Sequence, residues 1–102
     1  MNHKITFTEL EILRRAYVQT LQDREITGVQ LGKDLDITLS WVYEVLDKMV
    51  EKGLIQRETI NSRKVMYSLT PKGEEIAERW LDLFNVLKEF FKEKPMEKWR
   101  II

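Results

Sequence analysis

Apolar residues recur along most of this chain at helical spacing and switch once, past the middle, to alternation. Leu10, Leu13, Tyr17 and Leu21 fall on one side of a helix. Ahead of them, Thr6-Phe7-Thr8-Glu9 can form a capping box, in which a threonine hydroxyl accepts from a free amide and a glutamate three positions on reaches back. Thr8 with Glu11 is a second frame. The pattern predicts a helix over about residues 9–22. Thr27 with Gln30 offers another capping box, opening a short helix that carries Leu31 and Leu35 and ends near Asp36. Thr38 is a natural cap for a third helix, where Val42, Val45, Leu46, Met49 and Val50 form an apolar stripe. Gly53 stands where a helix end wants a left-handed residue.

The period then changes. Leu54 to Ile60 is β-capable, Asn61-Ser62 has turn chemistry, and Lys64-Val65-Met66-Tyr67-Ser68-Leu69 alternates polar with apolar. These segments predict a hairpin over about 55–69, which must pack on the helices because an isolated hairpin is marginal in water. Thr70-Pro71 opens the last helix, with Thr as cap and Pro in the first turn. Ile76, Trp80, Leu83, Leu87 and Phe90 form one stripe on it, and Ala77, Leu81, Phe84 and Phe91 a second beside the first. Pro95 ends it near Lys94 and leaves 95–102 as a short tail. The expected architecture is mainly α with a small β-hairpin: a winged helix-turn-helix over 1–94, with a long C-terminal dimerisation helix over about 71–94.

At 102 residues, 43% hydrophobic and 33% charged, the chain suits one soluble domain. It has no cysteine and one histidine, His3, which argues against thiolate chemistry, a His-based metal site or a catalytic triad. No apolar run approaches a membrane span and no secretion signal is visible, so a cytoplasmic protein without membrane contact is expected. Acid pairs such as Glu74/Glu75 lie on a charged helix face, and Thr8, Ser40 and Ser62 have no base placed beside them. The expectation is no enzyme and no cofactor. Lys and Arg together number 17, as do Asp and Glu, so any nucleic-acid contact must come from a local patch.

The stretch from Thr27 to Leu46 carries the helix-turn-helix pattern. Gly28 and Gly32 permit a close crossing, Leu31, Leu35, Ile37, Val42 and Leu46 fix it, and the capped second helix keeps an outer face free for a major groove. From Ile26 to Arg79 the sequence resembles winged-helix transcriptional regulators of the MarR and PadR type, and small archaeal winged-helix dimers. The residues that carry the likeness are Val42-Tyr43 with Leu46 and Met49, Glu51-Lys52-Gly53-Leu54-Ile55, and Tyr67-Ser68-Leu69-Thr70-Pro71-Lys72-Gly73. Asp36 stands where many such turns use Gly. The Asp-x-Arg wing signature of MarR-type proteins is missing, and Asn61-Ser62-Arg63-Lys64 occupies the tip.

The resemblance implies a homodimeric, sequence-specific regulator of transcription, a repressor by expectation, on double-stranded DNA. The expected recognition helix is 38–52 and the wing 55–69. With Val42, Leu46 and Met49 facing the core, the DNA candidates are Thr38, Leu39, Ser40, Trp41, Tyr43, Glu44 and Lys48, with Arg57, Arg63 and Lys64 on the wing. Each has a plainer reading: Trp41 as cover for the core edge, Tyr43 packed on the first helix, Arg57 paired with Glu58 or Glu51, Arg63 and Lys64 as solvated charges. Glu44 and Asp47 repel phosphate, which points to binding dominated by the wing.

Ile76, Trp80, Leu83, Phe84, Leu87 and Phe90 are the expected dimer interface, since an exposed stripe of this size is unusual on a monomer. The alternative is packing on the first helix of the same chain. Trp80 and Phe84 can also be read as lining a pocket for a small-molecule effector, whose identity the sequence does not reveal, with core packing the simpler reading. The competing function is a winged-helix protein-docking module without DNA binding, which the neutral charge and acidic recognition helix favour.

Overall fold

A threonine hydroxyl opens each of the four helices. The computed structural model describes residues 4–93, and within it α1 (Phe7–Leu21), α2 (Gly28–Leu35) and α3 (Leu39–Glu51) precede an antiparallel hairpin of β1 (Ile55–Asn61) and β2 (Lys64–Leu69), followed by α4 (Pro71–Glu93). His3, the expected helix end at Lys94 and the tail 95–102 lie outside the described residues. The elements and their order are those expected from the pattern, and the differences are local.

The first helix begins at Phe7 rather than at residue 9, because Thr6 is the cap. Its hydroxyl accepts from Glu9 N at 3.2 Å, and Glu9 Oε1 accepts from Thr6 N at 2.8 Å, which completes the box. The second box is half-formed: Thr27 Oγ1 accepts from Gln30 N, but the Gln30 amide turns to Asp34 Oδ1 at 2.9 Å. Asp36, where the pattern of related turns has glycine, adopts a left-handed conformation with φ 55°, which a short polar side chain tolerates better than most. The hairpin turns at Ser62-Arg63, one residue later than expected, with Asn61 Oδ1 accepting from Arg63 N at 2.8 Å. Ile60 is the extra residue of a β-bulge between Thr59 and Asn61.

α3 ends in a Schellman motif: Leu54 N donates to Met49 O and Gly53 N to Val50 O, with Gly53 at φ 75°. The hairpin is held at its base by Thr70, whose amide donates to Leu54 O at 3.2 Å and whose hydroxyl donates to Gly53 O at 2.6 Å. The same hydroxyl accepts from Gly73 N and so caps α4. A third strand-like segment joins the hairpin where Tyr67 N donates to Ile26 O at 3.1 Å.

The core gathers Ile12, Leu13, Ala16, Leu31, Val42, Leu46, Met49, Leu54, Ile55, Tyr67 and Ala77. On α1 this departs from the expected stripe. Leu10 and Tyr17 are half-buried and Leu21 is 64% exposed, while Glu9, Glu11 and Gln19 are buried. The buried face of α1 therefore carries polar residues, and apolar spacing alone points partly to the wrong side.

Those buried acids are bonded. Glu9 accepts from Lys52 Nζ at 2.8 Å on both oxygens, tying the start of α1 to the end of α3. Glu11, 1% exposed, accepts from Arg14 through Nε and Nη2, each at 2.9 Å, and from Trp80 Nε1 at 2.8 Å. Arg14 also covers the Phe84 ring at 3.9 Å, and Trp80 meets Phe7 edge-on, so one network joins α1 to α4.

Burial by itself pushes the Glu11 carboxyl up, but the Arg14 and Trp80 hydrogen bonds and the charges of Arg14 and Arg15 outweigh it and hold the group below the usual carboxylate range. A folded value below the unfolded one gives stability that is complete above about pH 4.5 and is lost as pH falls through the folded value. Glu11→Gln is expected to cost about 3 kcal/mol at pH 7, because it leaves Arg14 half-paired against α4. It should also flatten the acid limb, as measured by urea unfolding at pH 7 and pH 4.

Candidate nucleic-acid interface

The spacing of α2 and α3 sets this surface. A Cβ on Gly32 would meet Val42 Cγ2 at 3.2 Å, and one on Gly28 would meet the Tyr43 ring at 2.6 Å. Both glycines therefore serve the close crossing, and the Tyr43 ring lies over the start of α2. Val42 and Leu46 are buried in that crossing. The outer side of α3 presents Leu39, Ser40, Trp41, Tyr43, Glu44, Asp47 and Lys48 to solvent, after Thr38, which caps the helix by accepting from Trp41 N at 3.3 Å. This exposed face begins at the amino end of α3, where free backbone amides favour anions.

The wing stands beside it. Arg57 Nη1 lies 4.0 Å from Asp47 Oδ1, so β1 and the outer face of α3 share one surface. Tyr67, buried beneath, has its phenol pushed up by burial with help from neighbouring Tyr43 and Asp47, against the lowering effect of Arg57. It stays neutral and braces the wing on the helices.

The cations of this surface are partly spoken for. Lys48 lies 4.0 Å from Glu44, Arg57 faces Asp47, and Lys64 Nζ is 3.1 Å from Glu25 Oε1. Arg63 at the turn has no ion pair among the described residues. The exposed pairs are weak in water and exchange readily for another anion. The partner of Lys64, in the chain leading into α2, is not foreseeable from spacing, and neither is the pairing of Arg57 with Asp47 rather than with Glu58 or Glu51.

The six residues singled out on α4 divide. Ile76 packs against the core, Trp80 is bonded to Glu11, and Phe84 lies under Arg14, so these three are engaged by their own chain. Leu83 and Phe90 are each 49% exposed, and Leu87 is half-buried. Val86, not singled out by the stripe, is 64% exposed and lies between them in sequence. A groove of about 490 Å³ lined by Leu10, Ile76, Trp80 and Leu83 among others runs along α1 and α4.

A helix pair crossing on glycines, an outward-facing second helix, a hairpin locked beside it and a long terminal helix define a winged helix-turn-helix protein. The family described as "Sugar-specific transcriptional regulator TrmB" matches residues 1–72, and the chain belongs to that family. Its fold is that of transcriptional regulators. No curated protein sequence matches. Among solved structures, it is similar to the Lactococcus lactis protein ZitR. An apo mutant of ZitR gives TM-score 0.74 at 26% identity over 86% of this chain and 64% of ZitR. Wild-type ZitR in complex with DNA gives 0.73 at 25% identity over 91% of this chain and 62% of ZitR. MepR, a transcription regulator of a multidrug efflux pump from Staphylococcus aureus, shares the fold with TM-score 0.72 at 23% identity, over 93% of this chain and 69% of MepR. The chain thus spans a little under two-thirds of the length of ZitR. The resemblance to MarR-type winged-helix regulators holds. Among the described residues, no helix is long and apolar enough to cross a membrane.

Two glycines should respond differently to added bulk. At Gly28 a methyl group displaces the end of an exposed tyrosine, so Gly28→Ala is expected to change stability by about 1 kcal/mol or less while moving the Tyr43 ring resonances. At Gly73 a Cβ would sit 1.9 Å from the Leu54 carbonyl oxygen. Gly73→Ala should therefore cost about 2–3 kcal/mol, read by thermal and urea unfolding of the two variants in parallel.

Proposed function

We propose that the chain is a sequence-specific, DNA-binding transcriptional regulator, a repressor acting in the cytoplasm as a homodimer, and that it performs no catalysis. The observation that carries the proposal is the outward face of α3 with the wing beside it, anchored through Thr70 and Tyr67 and bringing Arg57 to 4.0 Å from Asp47. Family membership and the DNA complex of ZitR support it. In this reading Thr38, Leu39, Ser40, Trp41, Tyr43, Glu44 and Lys48 enter a major groove. Ser40 and Tyr43 donate to phosphate or base edges, Glu44 accepts from a cytosine amino group, and Leu39 meets a thymine methyl. Arg57, Arg63 and Lys64 follow the backbone or minor groove once phosphate replaces Asp47 and Glu25 as their partners.

Residues 1–94 form the DNA-binding unit, with the helix from 71 as the dimerisation element and 95–102 as a tail. Leu83, Leu87 and Phe90, extended by Val86, supply the two-fold contact, and Ile76, Trp80 and Phe84 shape its inner edge. Burying each large apolar side chain contributes about 1.5–3 kcal/mol before association costs. The dimer would set two recognition helices about 34 Å apart on a roughly palindromic site. A small-molecule effector between subunits, near Trp80 and Phe84, belongs to this reading as well. A protein-docking module is the second reading, favoured by exposed Leu39 and Trp41 and by the carboxylates facing the cations.

Fluorescence anisotropy with duplex DNA across a salt series separates the two. Affinity should fall steeply with salt. Arg63→Ala and Lys64→Ala should weaken binding to all sequences alike and lower the salt slope by about 1 each. No binding at low salt would favour the docking module, and unchanged affinity in the wing variants would remove the wing from the interface. Leu83→Glu with Val86→Glu should sediment as a monomer, and a persistent dimer would refute the α4 contact.

A further inference from the structure

Acceptors and apolar groups dominate the outer face of α3. Val42, Leu46 and Met49 are buried, so helical spacing sets Ser40, Glu44 and Asp47 opposite them, along the middle of that face. Trp41, 48% exposed, lies on one flank, Tyr43 on the other over Gly28, and exposed Leu39 at the amino end. The helix contains no arginine, and its one lysine, Lys48, is 4.0 Å from Glu44. Arg57 of the wing is 4.0 Å from Asp47. Both separations exceed a hydrogen bond, and the Glu44 and Asp47 side chains are 67% and 63% exposed, so the two carboxylates keep their capacity to accept.

Base edges differ in what such a face can meet. In the major groove guanine shows only acceptors, N7 and O6, which arginine or lysine matches and a carboxylate repels. Adenine shows an amino donor with an acceptor beside it, thymine an acceptor and a methyl group, and cytosine an amino donor. A carboxylate therefore meets cytosine cleanly, and Leu39 or Trp41 meets a thymine methyl. Both targets are pyrimidines, and neither contact uses the paired purine. Placing two carboxylates between phosphate strands costs affinity for every sequence alike. Glu44 and Asp47 thus contribute discrimination, while the wing cations contribute attraction.

Resting on the DNA-binding reading above, we propose that the outer face of α3 reads pyrimidines and leaves guanine N7 and O6 unread. Glu44 accepts from a cytosine amino group, and Asp47 joins it once Arg57 turns to phosphate. Trp41 and Leu39 cover the methyl groups of flanking thymines. Asp47 and Trp41 are then specificity determinants, and the half-site is a short run of cytosine and thymine on the strand that faces the helix.

The test starts with selection of bound duplexes from a random pool at fixed salt. Fluorescence anisotropy of the full chain then follows on the selected duplex with single bases exchanged. N4-methylcytosine, which blocks the groove-facing amino hydrogen, should weaken binding about tenfold. Uracil in place of thymine should weaken it about threefold for each contacted methyl. Replacing guanine by 7-deazaguanine, which lacks the N7 acceptor, should leave affinity unchanged. Glu44→Ala alters an exposed side chain and should fold as the parent does. It should lower the preference for the selected duplex over a scrambled one about tenfold. Its affinity for the scrambled duplex should stay level or rise, because a charge facing phosphate is gone. Trp41→Ala should remove the uracil penalty at one thymine. A 7-deazaguanine penalty as large as that of N4-methylcytosine would overturn the proposal. So would a Glu44→Ala variant that binds all duplexes more tightly with its preference intact, since the carboxylate would then be merely repulsive. Indifference to uracil would overturn the methyl contacts. Absence of binding to any duplex at low salt is a separate result that removes the DNA-binding reading itself, whereas guanine-dependent binding removes only the pyrimidine rule.

Discussion

Gly73 lies so close to the Leu54 carbonyl that no side chain fits between them, and three parts of the molecule meet at that approach. Leu54 closes the Schellman motif of α3, its carbonyl accepts from Thr70 at the base of the hairpin, and Thr70 caps α4 through its hydroxyl. The end of α3, the root of the wing and the start of α4 thus share a few backbone groups. A Cβ at 73 would push α4 away from the hairpin and loosen all three together. The Tyr-x-Leu-Thr-x-x-Gly run that signals this kind of wing end therefore has a mechanical meaning: tyrosine braces the hairpin, threonine ties and caps, and glycine permits contact.

A second set of connections runs through buried charge. Glu9 with Lys52 fixes α1 to the end of α3, and Glu11 with Arg14 and Trp80 fixes α1 to α4. Such pairs give up hydration and recover it through short, multiple hydrogen bonds. They also make α1 the member through which the terminal helix and the outward-facing helix are held in one arrangement. A displacement of α4 would act on α3 through these polar contacts of definite geometry as well as through the shared apolar core.

The outward surface is electrostatically restrained. Lys48, Arg57 and Lys64 each face a carboxylate, which fits a chain with no net charge and holds the cations in place without removing them from water. Such a surface attracts polyanions less at long range than a basic one, so contact geometry weighs more in its selectivity.

The sequence by itself determined the elements and their order, and placed most of their starts to within a residue or two, because these depend on neighbours a few residues apart. Thr6, Thr27, Thr38 and Thr70 mark helix starts, Gly53 a helix end, and the change of period after Leu54 the hairpin. The apolar stripe of α3 and the glycines of the crossing were legible for the same reason. Tertiary structure decided which face of α1 is buried, since Glu9, Glu11 and Gln19 become interior only when Lys52, Trp80 and Asp34 arrive from distant positions to bond them. It also decided that Ile76, Trp80 and Phe84 turn toward their own chain while Leu83, Val86 and Phe90 stay exposed, and that Tyr43 rests on Gly28. Periodicity reports that a face is apolar but not what lies opposite it, and a buried polar side chain looks like a surface one until its partner is in place.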